Sequence, residues 1–247
     1  RHGDYCSSIT MLVKAMKGGA SGGTMASMMN IMREARADRE VARVLARPYS
    51  LNPPGEQSGP DEGDQRGIRF DENTNSWTAP FVMATVNTRV VRRTHALLGY
   101  PWGESFRYHE AIRTAPGAGG WLKAATVTAG LTGLVTFASF GGTRSLLERY
   151  VLPKPGTGPD RKARENGFFN LLQIGELPDG KTIRGKVTGD RDPGYGSTSK
   201  MLAEAAVCLA FDETGSDGGV LTPAAAMAAP LLERLRNNAG LTFEVLD

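Results

Sequence analysis

The 247-residue chain has almost no cysteine, with Cys6 and Cys208 its only two. That excludes a disulfide scaffold or a cysteine-built metal site and points to a reducing compartment, the cytoplasm. His2, His95 and His109 show no metal-ligand spacing, so no metal is expected. A dominant charge is missing as well. Twenty-nine Lys and Arg against 26 Asp and Glu leave a net +3, too little to argue for a nucleic-acid partner. No charged start followed by an apolar run marks a secretory leader. The chain opens on Arg1 rather than Met, and we expect the biological chain to begin upstream. Catalytic signatures are absent too: there is no G-x-G-x-x-G between a strand and a helix, no P-loop and no G-x-S-x-G.

What is present is a well-mixed globular composition. Hydrophobic residues make up 40%, enough for a core, and 31 glycines imply many turns. Gly18 to Gly23 form a glycine-rich run ahead of a helix, with Thr24 as its expected N-cap. Met25, Met28, Met29 and Met32 recur at helical spacing. They read either as core or as the malleable wall of a greasy substrate site. Residues 50–66 carry three prolines, three glycines and several acids. They predict a mobile loop that cannot bury enough surface to order itself. Ile68 to Phe70 predict a short strand and Asp71 to Asn75 a turn.

A helix is expected from Pro80 to about Leu98, burying Met83, Val86, Val90 and Leu97 and stopped by Gly99. Phe106 to Tyr108 read as a strand. Residues 124–140 hold no charge, yet at about 1.5 Å per residue they fall short of a bilayer core. They read either as a buried or dimer-forming helix, or as a segment meeting a lipid surface or lining a lipid-accepting pocket. Strands are expected at 168–176 and 182–188 around a Pro178-Asp179-Gly180 turn. A helix follows with Met201, Leu202, Ala205 and Leu209 on its apolar side. A last helix starts at Thr222 and Pro223 and ends at Gly240, before a strand at 242–246. Together these predict an α+β fold, a mostly antiparallel sheet with flanking helices.

Candidate site residues are few. Gly22 and Gly23 offer backbone N–H groups that open a helix, a setting suited to an anion, although their order does not match the dinucleotide fingerprint. Arg89 and Arg93 lie four apart on a helix and suit a carboxylate or phosphate. Arg107 and His109 share one side of a strand and Tyr108 the other. Tyr195 sits between two glycines ahead of a helix bearing Lys200, placed to donate a proton or hold a carbonyl.

Four stretches resemble one family. They are Ser21-Gly22-Gly23-Thr24-Met25-Ala26-Ser27; Ala79-Pro80-Phe81-Val82-Met83 with Thr88 to Arg93; Pro155-Gly156-Thr157-Gly158-Pro159 followed by Gly189 to Gly196; and Gly218-Gly219-Val220-Leu221-Thr222-Pro223-Ala224. In this order they resemble saccharopine dehydrogenase-like oxidoreductases, on the branch of trans-acting enoyl reductases. The resemblance implies an NAD- or NADP-dependent reduction of an enoyl or carbonyl group on a lipid- or polyketide-like substrate. It implies an N-terminal Rossmann domain, absent here, that holds most of the cofactor, so this chain alone is expected to bind it weakly. Residues 1–221 would then be the substrate and dimerisation domain of a homodimer. Residues 222–247 would pack on the missing domain. A non-catalytic lipid-associated or interaction protein that keeps the fold is the alternative. No catalytic residue is assigned.

Overall fold

The computed structural model describes residues 5–18, 22–150, 153–154 and 156–246; Gly19, Ala20, Ser21 and Pro155 of the stretches above lie outside the described residues. Its centre is a strand that periodicity did not reveal. β1 (Ser8–Lys17) pairs in parallel with β4 (Arg107–Arg113) and antiparallel with β5 (Phe168–Glu176). Met11, Leu12 and Val13 are all buried. A strand covered on both faces shows an unbroken apolar run instead of alternation. The remaining strands are β2 (Arg69–Asp71), β3 (Ser76–Pro80), β6 (Thr182–Gly189) and β7 (Leu241–Leu246). The seven run in the order β2-β3-β4-β1-β5-β6-β7, and only the β1–β4 pair is parallel. The sheet is thus mostly antiparallel and flanked by helices, as composition and patterning indicated.

The β5–β6 hairpin and β7 match their predicted spans to within a residue. Asp179 accepts from the Lys181 N–H at 3.0 Å, and Gly180 takes φ 83°. The turn is therefore written in side-chain chemistry that the sequence displays. At Gly240, φ is 71° and any Cβ would strike the Asp190 carboxylate, so glycine is required on two counts.

The helices are α1 (Gly22–Ala37), α2 (Arg39–Ala46), α3 (Ala84–Leu97), α4 (Gly117–Ser139), α5 (Gly141–Tyr150), α6 (Arg161–Glu165), α7 (Gly196–Phe211) and α8 (Pro223–Asn238). Several differ from expectation. α1 begins at Gly22, so Thr24 lies inside its first turn and is not the N-cap. Pro80 closes β3, paired with Ala111, and α3 starts four residues later. α3 buries most deeply a more polar face than the expected stripe, of which Met83, Val90 and Leu97 are half-buried. Val86 is 51% exposed, while Thr88, Arg89, Arg92 and His95 are buried. In α7 the inward stripe is Met201, Ala205 and Cys208; Leu202 and Leu209 face out. Thr222 is the N-cap of α8, but its hydroxyl bonds the Thr94 hydroxyl at 2.7 Å instead of the helix. α8 kinks at Ala228, two residues before Pro230. On α8, Ala226 and Leu231 pack within this chain, against Cys208 and Met227. Ala229 is exposed.

Residues 50–66 form no helix or strand, yet the expectation that they bury no surface is wrong. Asn52 and Asp61 are buried. The reason is electrostatic: their acids meet arginines from α3, as described below.

The end of α3 rests on an aromatic cluster. His95 stacks flat on Trp102, with centroids 4.8 Å apart, and meets Tyr100 and Phe106. Its Nε2 donates to the Gly103 carbonyl at 2.9 Å. Burial lowers its pKa from the ordinary 6.5, against a smaller opposing effect of that hydrogen bond. The fold therefore favours the neutral ring. The stability this contributes is complete above 6.5 and is lost as pH falls below it. Thermal unfolding should show a midpoint that drops between about pH 7.5 and about pH 5.5. In His95→Asn the midpoint should start lower and fall less. Equal pH slopes in the two proteins would refute this role.

Candidate functional site

Two acids three residues apart, Asp61 and Asp64, face two arginines three residues apart, Arg92 and Arg89. One helical turn of α3 brings both arginines to the same side. Arg92 Nε donates to Asp61 Oδ2 at 2.7 Å, and Arg89 pairs with Asp64. The Arg92 and Asp61 side chains are only 3% and 1% exposed. Arg92 also donates to the carbonyls of Pro48 and Tyr108, each at 3.1 Å, and stacks on the Tyr49 ring at 5.3 Å. Asp61 in turn accepts from the Tyr108 N–H at 3.3 Å. The loop thus closes the edge of β4 beyond the reach of β3. A buried guanidinium this fully bonded is locked in place, because losing any partner would strand a charge away from water.

Beside this lock lies a second buried polar pair. Tyr108 donates to Glu110 at 3.0 Å, and Asn87 of α3 bonds the other Glu110 oxygen at 3.0 Å. Burial, reinforced by the Glu110 charge, drives the Tyr108 phenol far above its ordinary value. Burial also raises Glu110, against the hydrogen bonds from Asn87 and Tyr108. His109 points the other way along β4. Its Nε2 lies 3.4 Å from Asp61 Oδ1, a buried oxygen with no hydrogen-bond partner among the described residues. Desolvation lowers its pKa, opposed by Asp61 and aided by Arg92, Arg107 and Arg69.

The loop and α3 also wall a cavity of about 500 Å³. Its apolar side comes from Met28 and Met32 of α1, Leu45 of α2, Phe81 and Val82 ahead of α3, and Leu131 and Val135 of α4. Its polar side is Asp64, Gln65, Arg66 and Arg89. A volume in this range, mostly apolar with a few convergent polar groups, suits a small organic ligand or part of an acyl chain. Two readings left open by the sequence meet here. Met29 is core, but Met28 and Met32 form a wall, and the uncharged 124–140 segment lines a pocket along one side.

The sequence-selected residues fare unevenly. Arg89 lines the cavity, but Asp64 already holds its charge. Arg93 does not join it: its guanidinium donates to the Leu51 and Val220 carbonyls. The expected Arg89–Arg93 anion site is therefore replaced by the Arg89–Arg92 ladder. Arg107 is exposed at the start of β4. Tyr195 stands at the N-cap of α7 with its ring against Gly158, and Lys200 pairs with Asp190 at 3.0 Å. Arg107, Tyr195 and Lys200 do not line the cavity. Gly22 is already engaged. The Gly22 N–H donates to the Thr157 carbonyl at 3.0 Å, and a Cβ there would collide with the Lys154 carbonyl. The start of α1 thus faces two carbonyl oxygens, which a pyrophosphate could not share. Among the described residues no cluster suits a metal ion. Sequence reasoning missed Asp61, Asp64, Asn87 and Glu110. The matching three-residue spacing of the two acids and the two arginines was the available signal.

Replacing Asp61 by Ala should cost about 3–5 kcal/mol in urea unfolding, because it strands the Arg92 charge. Arg93→Ala, which removes exposed contacts, should cost less than about 1 kcal/mol. Similar losses for the two would show that the loop is not locked by Asp61.

No family model and no solved structure matches the chain. Curated relatives do. A Mycobacterium tuberculosis protein provisionally named a trans-acting enoyl reductase is 40% identical over 240 residues, 91% of this chain and 56% of that protein. Proteins named trans-acting enoyl reductase from Mycobacterium bovis and Mycobacterium ulcerans are 36% and 35% identical, over 94% and 87% of this chain. They are matched over 58% and 54% of their own lengths. Nearly the whole of this chain is therefore homologous to proteins named trans-acting enoyl reductases, and it spans a little over half the length of each.

Proposed function

We propose that this chain forms the substrate-shaping part of an NAD(P)-dependent enoyl reductase acting on a lipid- or polyketide-like chain, in the manner of the saccharopine dehydrogenase-like family. The observation that carries this reading is the mostly apolar cavity between α1, α3, α4 and the loop ending at Arg66. Its methionines adapt to an aliphatic chain of variable shape. Its polar side can hold a carbonyl at one end of the ligand. Arg66 stands exposed there, beside Gln65, whose amide already donates to the Gly67 carbonyl at 2.7 Å and the Thr78 hydroxyl at 3.1 Å. The nicotinamide cofactor would supply hydride, held by a part of the longer protein that this chain does not span. The Gly22 N–H, already given to the Thr157 carbonyl, favours a second reading, a lipid-associated or interaction module with no catalysis of its own.

Two measurements test the proposal. A fluorescent long-chain acyl probe should bind the chain, and Leu131→Trp, which fills the cavity, should weaken binding at least about tenfold, or about 1.4 kcal/mol. Lys200→Ala should leave it unchanged. In the longer protein, the same Leu131→Trp change should raise KM for a long-chain enoyl thioester about tenfold while sparing a short-chain one. Probe binding indifferent to Leu131→Trp would sink the cavity reading. Probe binding without any NADPH consumption in the longer protein would favour the non-catalytic module.

A further inference from the structure

α4 is a cavity wall on one side and an unpartnered apolar surface on the other. Leu131, Thr132 and Val135 line the cavity, and Leu122, Ala129 and Phe137 follow the helical repeat along an adjoining outward face. Thr136, exposed and lining the cavity, joins the two faces. Leu122 is 62% exposed and Phe137 55%. Leu146 and Tyr150 of α5 are exposed as well, so the surface continues past the end of α4. A patch of this kind is not left in water without reason.

The threonines that lower its hydropathy are less polar than they read. Thr126 and Thr128 turn their hydroxyls onto the Leu122 and Ala124 carbonyls, at 2.9 and 2.8 Å, and Ser139 bonds the Val135 carbonyl. Their hydrogen bonds are thus met inside the helix. Charge decides the occupant. Along α4 and α5 the sequence holds Lys123, Arg144 and Arg149 against one acid, Glu148. A second copy docked face to face would set this net-positive segment against itself. A bilayer carrying anionic lipid complements both its greasy surface and its charge. No single helix among the described residues is long and apolar enough to cross a membrane, although α4 and Gly141–Leu147 pass that test as one sharply bent pair.

We propose that α4 and the start of α5 lie on an anionic lipid surface and that acyl chains enter the cavity from it beside Thr136. The loading step rests on the acyl-cavity reading above, whereas the docking step does not.

Sedimentation with phosphatidylcholine vesicles containing about one-third phosphatidylglycerol should carry the chain down, and pure phosphatidylcholine should carry down much less. Leu122→Ser with Phe137→Ser should weaken vesicle binding at least about tenfold. Neither residue lines the cavity, so binding of a soluble acyl probe should persist. In the unaltered chain, brominated lipid should quench tryptophan fluorescence through Trp121, which is exposed on α4, and Trp121→Phe should abolish that quenching. Three results would overturn the proposal: no vesicle binding by the unaltered chain, vesicle binding indifferent to the double substitution, or a dimer in solution that the double substitution dissociates. Vesicle binding without any uptake of the acyl probe would overturn loading and the cavity reading together, with docking intact.

Discussion

The ion pair between Asp61 and Arg92 is the constraint on which the site half of this molecule depends. Both side chains are out of water, and in that setting a charge persists only if its partner is held in place. The pair therefore dictates three things at once. It sets the rotation of α3, because Arg92 has to face inward. It fixes the course of a loop that has no regular secondary structure. It also seals the strand edge that β3 leaves open at Tyr108. Asp64 and Arg89 repeat the arrangement one helical turn away and so form the polar side of the cavity.

This arrangement explains why the cavity is polar on one side and greasy on the other. The polar side comes from a loop and a helix held together by charge. The greasy side comes from α1 and α4, which turn Met28, Met32, Leu131 and Val135 toward it. Glu110 and Tyr108 sit behind the ladder with their pKa values raised by the same desolvation. The whole region is thus a low-dielectric polar core, in which hydrogen bonds are strong and unmet ones are costly.

The other half of the sheet is built differently. Phe169, Leu241 and Ala239 make a compact apolar cluster under α7 and α8, and its elements match their predicted spans closely. Beyond it, α7 presents Leu202, Leu209 and Phe211 outward.

Local structure was determined by the sequence alone. The Pro178-Asp179-Gly180 hairpin, the Pro223 start of α8, the Gly240 stop and the final strand depend on backbone preferences and short-range hydrogen bonds, which neighbouring residues declare. The helical character of 124–140 and the mostly antiparallel class were legible for the same reason. Only the tertiary structure decided which faces turn inward. Asp61 and Arg92 lie 31 residues apart and Asp64 and Arg89 25. A helix read by hydropathy places its arginines in water unless the acids that neutralise them are seen. The polar inward face of α3, the ordering of 50–66 and the pairing of Gly22 with Thr157 follow from encounters between distant segments. β1 was hidden because burial on both faces erases the alternation by which a strand is read.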